Sequence, residues 1–89
     1  MPDQPEAQGP RSVPVKIDNE NFSIRGNATE EYIRKLSRIV DQKVLEVRRN
    51  QPNLPRHRVA ILAALNIADE LERVKRENAE LLDVLEEAR

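Results

Sequence analysis

The chain has 89 residues, 35% of them charged and 38% hydrophobic, with a formal net charge of −1. One Phe, one Tyr and no Trp leave an apolar mass of Leu, Ile, Val and Ala, enough for one small domain with an extension and better suited to helix packing than to an independent compact core. The near-zero charge balance gives the whole chain no pull toward nucleic acid or anionic membranes, and the absence of Cys excludes disulfides and thiolate metal sites.

The opening residues, MPDQPEAQGPRS, carry three prolines and no apolar run. Residues 1–12 are therefore expected to be a disordered tail without a secretory signal. No apolar run approaches the roughly 20 residues that span a bilayer, and a cytoplasmic protein is expected.

From Val13 the hydrophobic period is two. Val13, Val15 and Ile17 alternate with Pro14 and Lys16, and Phe22 and Ile24 alternate with Ser23 and Arg25. Between them stands Asp18 to Asn21, a run of turn-forming side chains. This predicts a β-hairpin over 13–25 with one apolar face, its first strand at an edge because Pro14 lacks a donor. Such a hairpin is marginal in water and has to pack on something.

Gly26 and Asn27 are expected to end the second strand, and NATE reads as a capping box in which Asn27 caps and Glu30 reaches back. Tyr32, Ile33, Leu36, Ile39, Val40, Val44 and Val47 then recur at helical steps, predicting an amphipathic helix over 28–50 with Arg48 and Arg49 at its negative end. Arg34, Arg38, Leu45 and Arg49 lie opposite its apolar face. This stripe is either a solubilising surface or a dock for an acidic partner.

The loop QPNLP re-aims the chain into a second helix from residue 54, with Pro55 tolerated in its first turn. Neither Gly nor Pro follows, so the helix is expected to run to Arg89, about 50 Å at 1.5 Å per residue. From Val59 to Ala68 every residue but Asn66 is apolar. A helix hydrophobic all round must be buried, and one hairpin with one helix covers only part of it. Leu62, Leu65, Asn66 and Ile67 are accordingly assigned to contact with a second chain.

Ile67, Leu71, Val74, Asn78, Leu81 and Leu85 continue at steps of four and three, a heptad seam. Asn78 falls at an a position, where one buried Asn fixes register and favours a parallel pair. Glu70 at g and Lys75 at the following e are placed to pair between chains. Leu82 and Val84 flank the seam, which points to tips that associate further, dimer with dimer. The predicted architecture is α+β: a head over 13–66, and a coiled-coil oligomerisation helix over 67–89 continuous with it.

Chemistry is sparse. His57 is the single histidine, and the two glycines form no phosphate-cradling loop. No enzyme, metal site or cofactor is expected. Arg48, Arg49, Arg56 and Arg58 before a zipper-like repeat resemble a basic-region zipper only superficially. That fold needs one continuous helix, which Pro52 and Pro55 interrupt.

The combination of a hairpin, the segment IRGNATEEYIRKLSRIVDQKV, the loop QPNLP and the segment AILAALNIADEL running into a coiled coil resembles the ZapA family over residues 13–89. That resemblance implies a non-enzymatic bacterial division protein at the midcell septum. It implies binding to FtsZ, the tubulin-like division GTPase, and cross-linking of FtsZ protofilaments in support of the Z-ring. It also implies head-to-head dimers whose coiled coils associate into tetramers, without nucleic acid or membrane. FtsZ contact in the family is attributed to charged head residues, which in this sequence points to Arg34, Arg38, Lys43, Arg48 and Arg49. A generic coiled-coil adaptor is the alternative, with a DNA-binding zipper as the weaker one.

Overall fold

The computed structural model describes residues 6–88, with side-chain surroundings from Arg11 onward. Four elements follow one another: strands β1 (Glu6–Ile17) and β2 (Glu20–Ala28), then helices α1 (Glu30–Asn50) and α2 (Arg56–Glu87). The α+β class read from the sequence holds. The hairpin closes through two residues, Asp18 and Asn19, with φ of 54° and 61°. Positive φ at both positions is what a two-residue hairpin turn demands, and Asp and Asn are among the few side chains that tolerate it.

The pairing Val13↔Ile24, Val15↔Phe22 and Ile17↔Glu20 puts the apolar residues of both strands on one face. Val13 and Val15 are buried against Ile33 of α1, with Ile17 and Ala28 at the margin. β2 lies further out, so Phe22 and Ile24 stay 42% and 37% exposed.

β1 begins at Glu6, so the expected disordered tail over 1–12 gives way to strand from that residue, and residues 1–5 lie outside the described residues. Its partner is the far end of β2, which runs past Gly26 and Asn27 to Ala28 instead of stopping at them. The register shifts between Glu6 and Arg11, a bulge where β1 carries the extra residues. A polar, proline-containing stretch carries no period-two signal for such pairing.

The cap also differs. Thr29, not Asn27, caps α1: its backbone is extended and its Oγ1 accepts from the Tyr32 N–H at 3.2 Å. The helix therefore starts at Glu30, two residues later than predicted, because β2 uses the intervening residues. Along α1 the buried residues are Ile33, Ser37, Val44 and Val47; Ser37 is tolerated there because its Oγ donates to the Ile33 carbonyl at 2.9 Å. Leu36 and Ile39, expected in the core, are 43% and 44% exposed. They lie about 60° and 120° round the helix from Ile33, beyond the arc that the hairpin and α2 cover.

The second core joins the helices. Val44 and Val47 pack on Val59 and Ala63 of α2, with Val40, Leu54 and Leu62 around them. Val59 is completely buried. Leu54 is half-buried in the loop, and Pro55 precedes α2 with its carbonyl accepting from the Arg58 and Val59 N–H groups. The helix thus begins at Arg56 instead of residue 54. Its 32 residues span about 48 Å. The molecule is a plate of 51 × 40 × 14 Å. Every residue from Ala68 to Ala88 is exposed.

Candidate interaction surfaces

A helical stretch standing alone in water is marginal, since propensity contributes little without tertiary packing. The distal half of α2 nonetheless presents Leu71, Val74, Leu81, Leu82, Val84 and Leu85, each more than half exposed. Asn78 lies exposed in their midst. Ile61 and Leu65 are bare as well, on a different side of the helix. Leu62 differs from its predicted neighbours because it is half-buried in the chain's own core.

The seam also continues upward into the head. An open, mostly apolar groove of about 320 Å³ runs between the hairpin and the two helices, lined by Ile17, Phe22, Val40, Val44, Ala60, Ala63, Ala64 and Ile67 together with Asp18, Glu20 and Arg56. Ala60, Ala64 and Ile67 fall on the helical line of Leu71 and Val74, so groove and seam form one surface. Asn66 is exposed and lines a neighbouring, polar cleft with Lys43 and Glu70.

The charged side of the head is organised around Asp18. Its carboxylate accepts from Arg48 Nε and Nη2, both at 2.7 Å, in the two-pronged geometry that makes arginine pairs specific. Arg56 Nε stands 3.4 Å from the same carboxylate, and Arg56 Nη1 donates to Glu20 at 2.9 Å. The Asp18 N–H donates to Asp41 Oδ1 at 2.8 Å. The hairpin turn is thereby tied to the middle and end of α1 and to the start of α2. Only 16% of the Asp18 side chain is exposed.

The Arg48 hydrogen bond, aided by the charges of Arg48 and Arg56, holds the Asp18 carboxyl below the usual aspartate range against the opposing effect of burial. A lowered folded-state pKa contributes stability above the unfolded value near 4, and that contribution is lost as pH falls through the folded value. Urea midpoints are expected to fall from pH 5 to pH 3 more steeply for the parent chain than for Asp18→Asn, which keeps the turn backbone but not the titration. Equal slopes would show that the clasp adds nothing.

The predicted basic residues separate into two kinds. Arg48 is engaged as described. Lys43 pairs with Glu70 and with Glu46, and the Glu70 hydrogen bond holds its ammonium above the usual lysine range. Glu70 is thus occupied within its own chain, not standing free to meet Lys75 of another. Arg34 donates to Glu30 at 3.1 Å, an exposed pair of the weak i,i+4 kind. Arg38 and Arg49 are exposed and make no hydrogen bond or ion pair among the described residues. The stripe and the seam lie on different helices separated by residues 51–55, so no continuous basic-zipper helix exists.

Sequence reasoning passed over Asp18, Glu20 and Lys16. Asp18 carried only a turn signal; its pairing depends on how the hairpin lies across α1, which no local pattern encodes. Among the described residues no His, Asp and Glu side chains gather into a metal-holding group, and no helix is long and apolar enough to cross a membrane.

A hairpin on two helices, the second running bare beyond the head, is the arrangement on which comparison with known proteins turns. The sequence model described as "Cell division protein ZapA" matches residues 13–89. The chain belongs to the ZapA family. Among relatives, the cell division protein ZapA of Geobacillus sp. (strain WCH70) is 33% identical over 73 residues, 82% of this chain and 84% of the relative. That of Bacillus anthracis is 30% identical over 69 residues, 78% of each. A solved structure, a ZapA mutant dimer from Geobacillus stearothermophilus, superposes with a TM-score of 0.65 at 32% identity, covering 89% of this chain and 92% of the other. The ZapA-family chain and this neighbour therefore share the α+β architecture.

Proposed function

We propose that this chain is a cytoplasmic division accessory protein that binds FtsZ and cross-links its protofilaments at the septum, supporting assembly and stability of the Z-ring. The observation that carries the reading is a ZapA-family head mounted on a helix whose apolar side chains, Leu71 to Leu85, stay more than half exposed among the described residues.

A second copy is the occupant that fits this surface. Apolar seam and head groove lie on one line, and the similar structure is a dimer. In this reading Ile67, Leu71, Val74 and Asn78 form the parallel dimer seam, while Leu65 and Asn66, with the exposed part of Leu62 that its own core leaves open, complete the contact beside the heads. Leu82 and Val84, flanking Leu81 and Leu85 of the seam, join two dimers at their tips. A bridging protein then needs only weak FtsZ sites, because two or four heads on one rod convert weak contacts into avidity through effective concentration. The basic head face supplies those sites, with Arg34, Arg38, Lys43 and Arg49 as contact candidates and Arg48, held by Asp18, as their support.

Purified protein is expected to co-pellet with FtsZ polymers in the presence of GTP and much less without it, with binding that weakens as salt rises. Arg34→Glu combined with Arg49→Glu is expected to abolish bundling while the dimer persists; unchanged bundling would sink the basic-face assignment. Leu81→Glu is expected to halve the sedimenting mass from tetramer to dimer without loss of helicity by circular dichroism. A Leu81→Glu chain still sedimenting as a tetramer places the tip contact elsewhere.

A further inference from the structure

The charged side of the head holds a second feature that the basic stripe alone does not describe. Leu45 points out of α1, 37% exposed, into an open cleft of about 590 Å³ that it shares with Lys16, Asn19, Asp41 and the Asp18–Arg48–Arg56 clasp. Arg38 and Arg49 stand seven residues before and four residues after Leu45, on the same face of the helix. Lys16, on β1, is exposed and unpaired among the described residues, as are Arg38 and Arg49.

We propose that Leu45, Lys16, Arg38 and Arg49 form one docking surface for an acidic segment of the partner protein that bears an apolar side chain, and that Arg48 positions this surface without touching the partner. The proposal rests on the FtsZ-binding reading and names the chemistry of the segment that would be bound.

Charge complementarity selects the occupant. The cleft beside the leucine is lined by three cations (Lys16, Arg48, Arg56) and two carboxylates (Asp18, Asp41); Arg38 and Arg49 lie on the same helix face as Leu45, and Glu20 is paired with Arg56. The carboxylates are already used: Asp18 and Glu20 by arginines, Asp41 by the Asp18 N–H. The free positive charge is therefore on Lys16, Arg38 and Arg49. A carboxylate approaching them breaks no existing pair, whereas one approaching Arg48 must compete with a two-pronged bond at 2.7 Å.

Leu45 between such cations matches an apolar side chain flanked by Asp or Glu, and apolar area sealed from water adds affinity that charge alone does not. Nucleic acid is the less favoured anion, since no aromatic side chain lines the cleft to stack on a base. Arg48 acts through Asp18: it fixes the turn, and the turn fixes Lys16 beside the cleft.

The test is pelleting of the full-length protein with GTP-assembled FtsZ, with sedimentation confirming that each variant keeps the parent's mass. The triple variant Lys16→Gln, Leu45→Ala, Arg49→Gln is expected to bind at least tenfold more weakly while keeping a cooperative melt, because none of the three side chains belongs to either buried cluster. Asp18→Asn separates the two roles of Arg48. Asn tolerates the turn conformation, so this variant frees Arg48 without breaking the backbone. A positioning role predicts that Asp18→Asn loses binding as Arg48→Gln does, and a direct contact predicts that it binds as well as the parent or better.

Parent protein that does not pellet at all refutes the FtsZ reading. Parent that pellets alongside an equally bound triple variant refutes this surface and leaves that reading standing. Random duplex DNA that displaces the protein from FtsZ at equal salt shows a general anion surface and overturns the acidic-segment assignment.

Discussion

Chains carrying Ile67→Glu are expected to sediment as monomers and to lose most of their cooperative melt. Ile67 is half-buried at the junction where the head groove, lined by Phe22, Val40 and Val44, becomes the exposed seam of α2. Glutamate there removes an apolar contact worth about 1.5–3 kcal/mol when fully buried. A symmetric dimer suffers that loss twice and must also bring two carboxylates out of water on its apolar line. A combined loss of about 4–6 kcal/mol corresponds to a roughly 10³- to 10⁴-fold weaker dimer. Ile67→Leu, which conserves volume, is the control and keeps the dimer. Analytical ultracentrifugation at micromolar protein decides the matter, and an Ile67→Glu dimer of parental affinity would move the seam off this side of α2.

Val59→Asp is the second change of large effect. Val59 has no solvent exposure and joins Val44, Val47 and Ala63 where α1 meets α2. An unpaired carboxylate placed there either stays charged at a cost of several kcal/mol or takes up a proton, and no neighbouring cation in that cluster relieves it. Domains of this size are stable by only about 5–10 kcal/mol, so the substituted head is expected to be unfolded at neutral pH by far-UV circular dichroism. The graded form, Val59→Ala, is expected to cost about 1–3 kcal/mol, read as a lower urea midpoint with unchanged slope. Because folding and association are coupled in such a chain, the midpoints have to be compared at equal protein concentration. A Val59→Asp chain with a parental melt would contradict the packing of the two helices.

Much of this architecture is legible in the residues. The switch from a period of two to a helical period at residues 25–30 marks the change from hairpin to helix, and Pro52 and Pro55 mark the only break between helices. The excess of apolar side chains from Val59 to Ala68 identifies α2 as a helix that its own head does not cover, and the exposed row from Leu71 to Leu85 agrees. The finer features lie outside what periodicity encodes. Leu36 and Ile39 belong to the apolar stripe of α1 yet remain open, because the width of a buried arc depends on how far α2 splays from α1. The sequence points to Asn27 as the cap, and the role falls instead to Thr29 because β2 extends through Ala28. Arg48 reads as a docking cation from sequence and as a clasp in the fold, since its partner Asp18 lies 30 residues away. The charged surface was thus predictable in composition but not in which charges are free.

The unbroken course of α2 from Arg56 to Glu87 ties distance to angle. Any residue inserted below the head lengthens the rod by about 1.5 Å and turns everything beyond it by about 100°. Seven added residues extend it by about 10.5 Å and return the tip to within about 20° of its original bearing, whereas four extend it by about 6 Å and leave it about 40° out of phase. In the tip-joined assembly proposed above, the reach between heads would therefore change in steps that restore this phase. Related chains that bridge wider gaps are expected to differ by increments that restore this phase, such as about seven or eleven residues, because about four or five added residues point the heads in new directions.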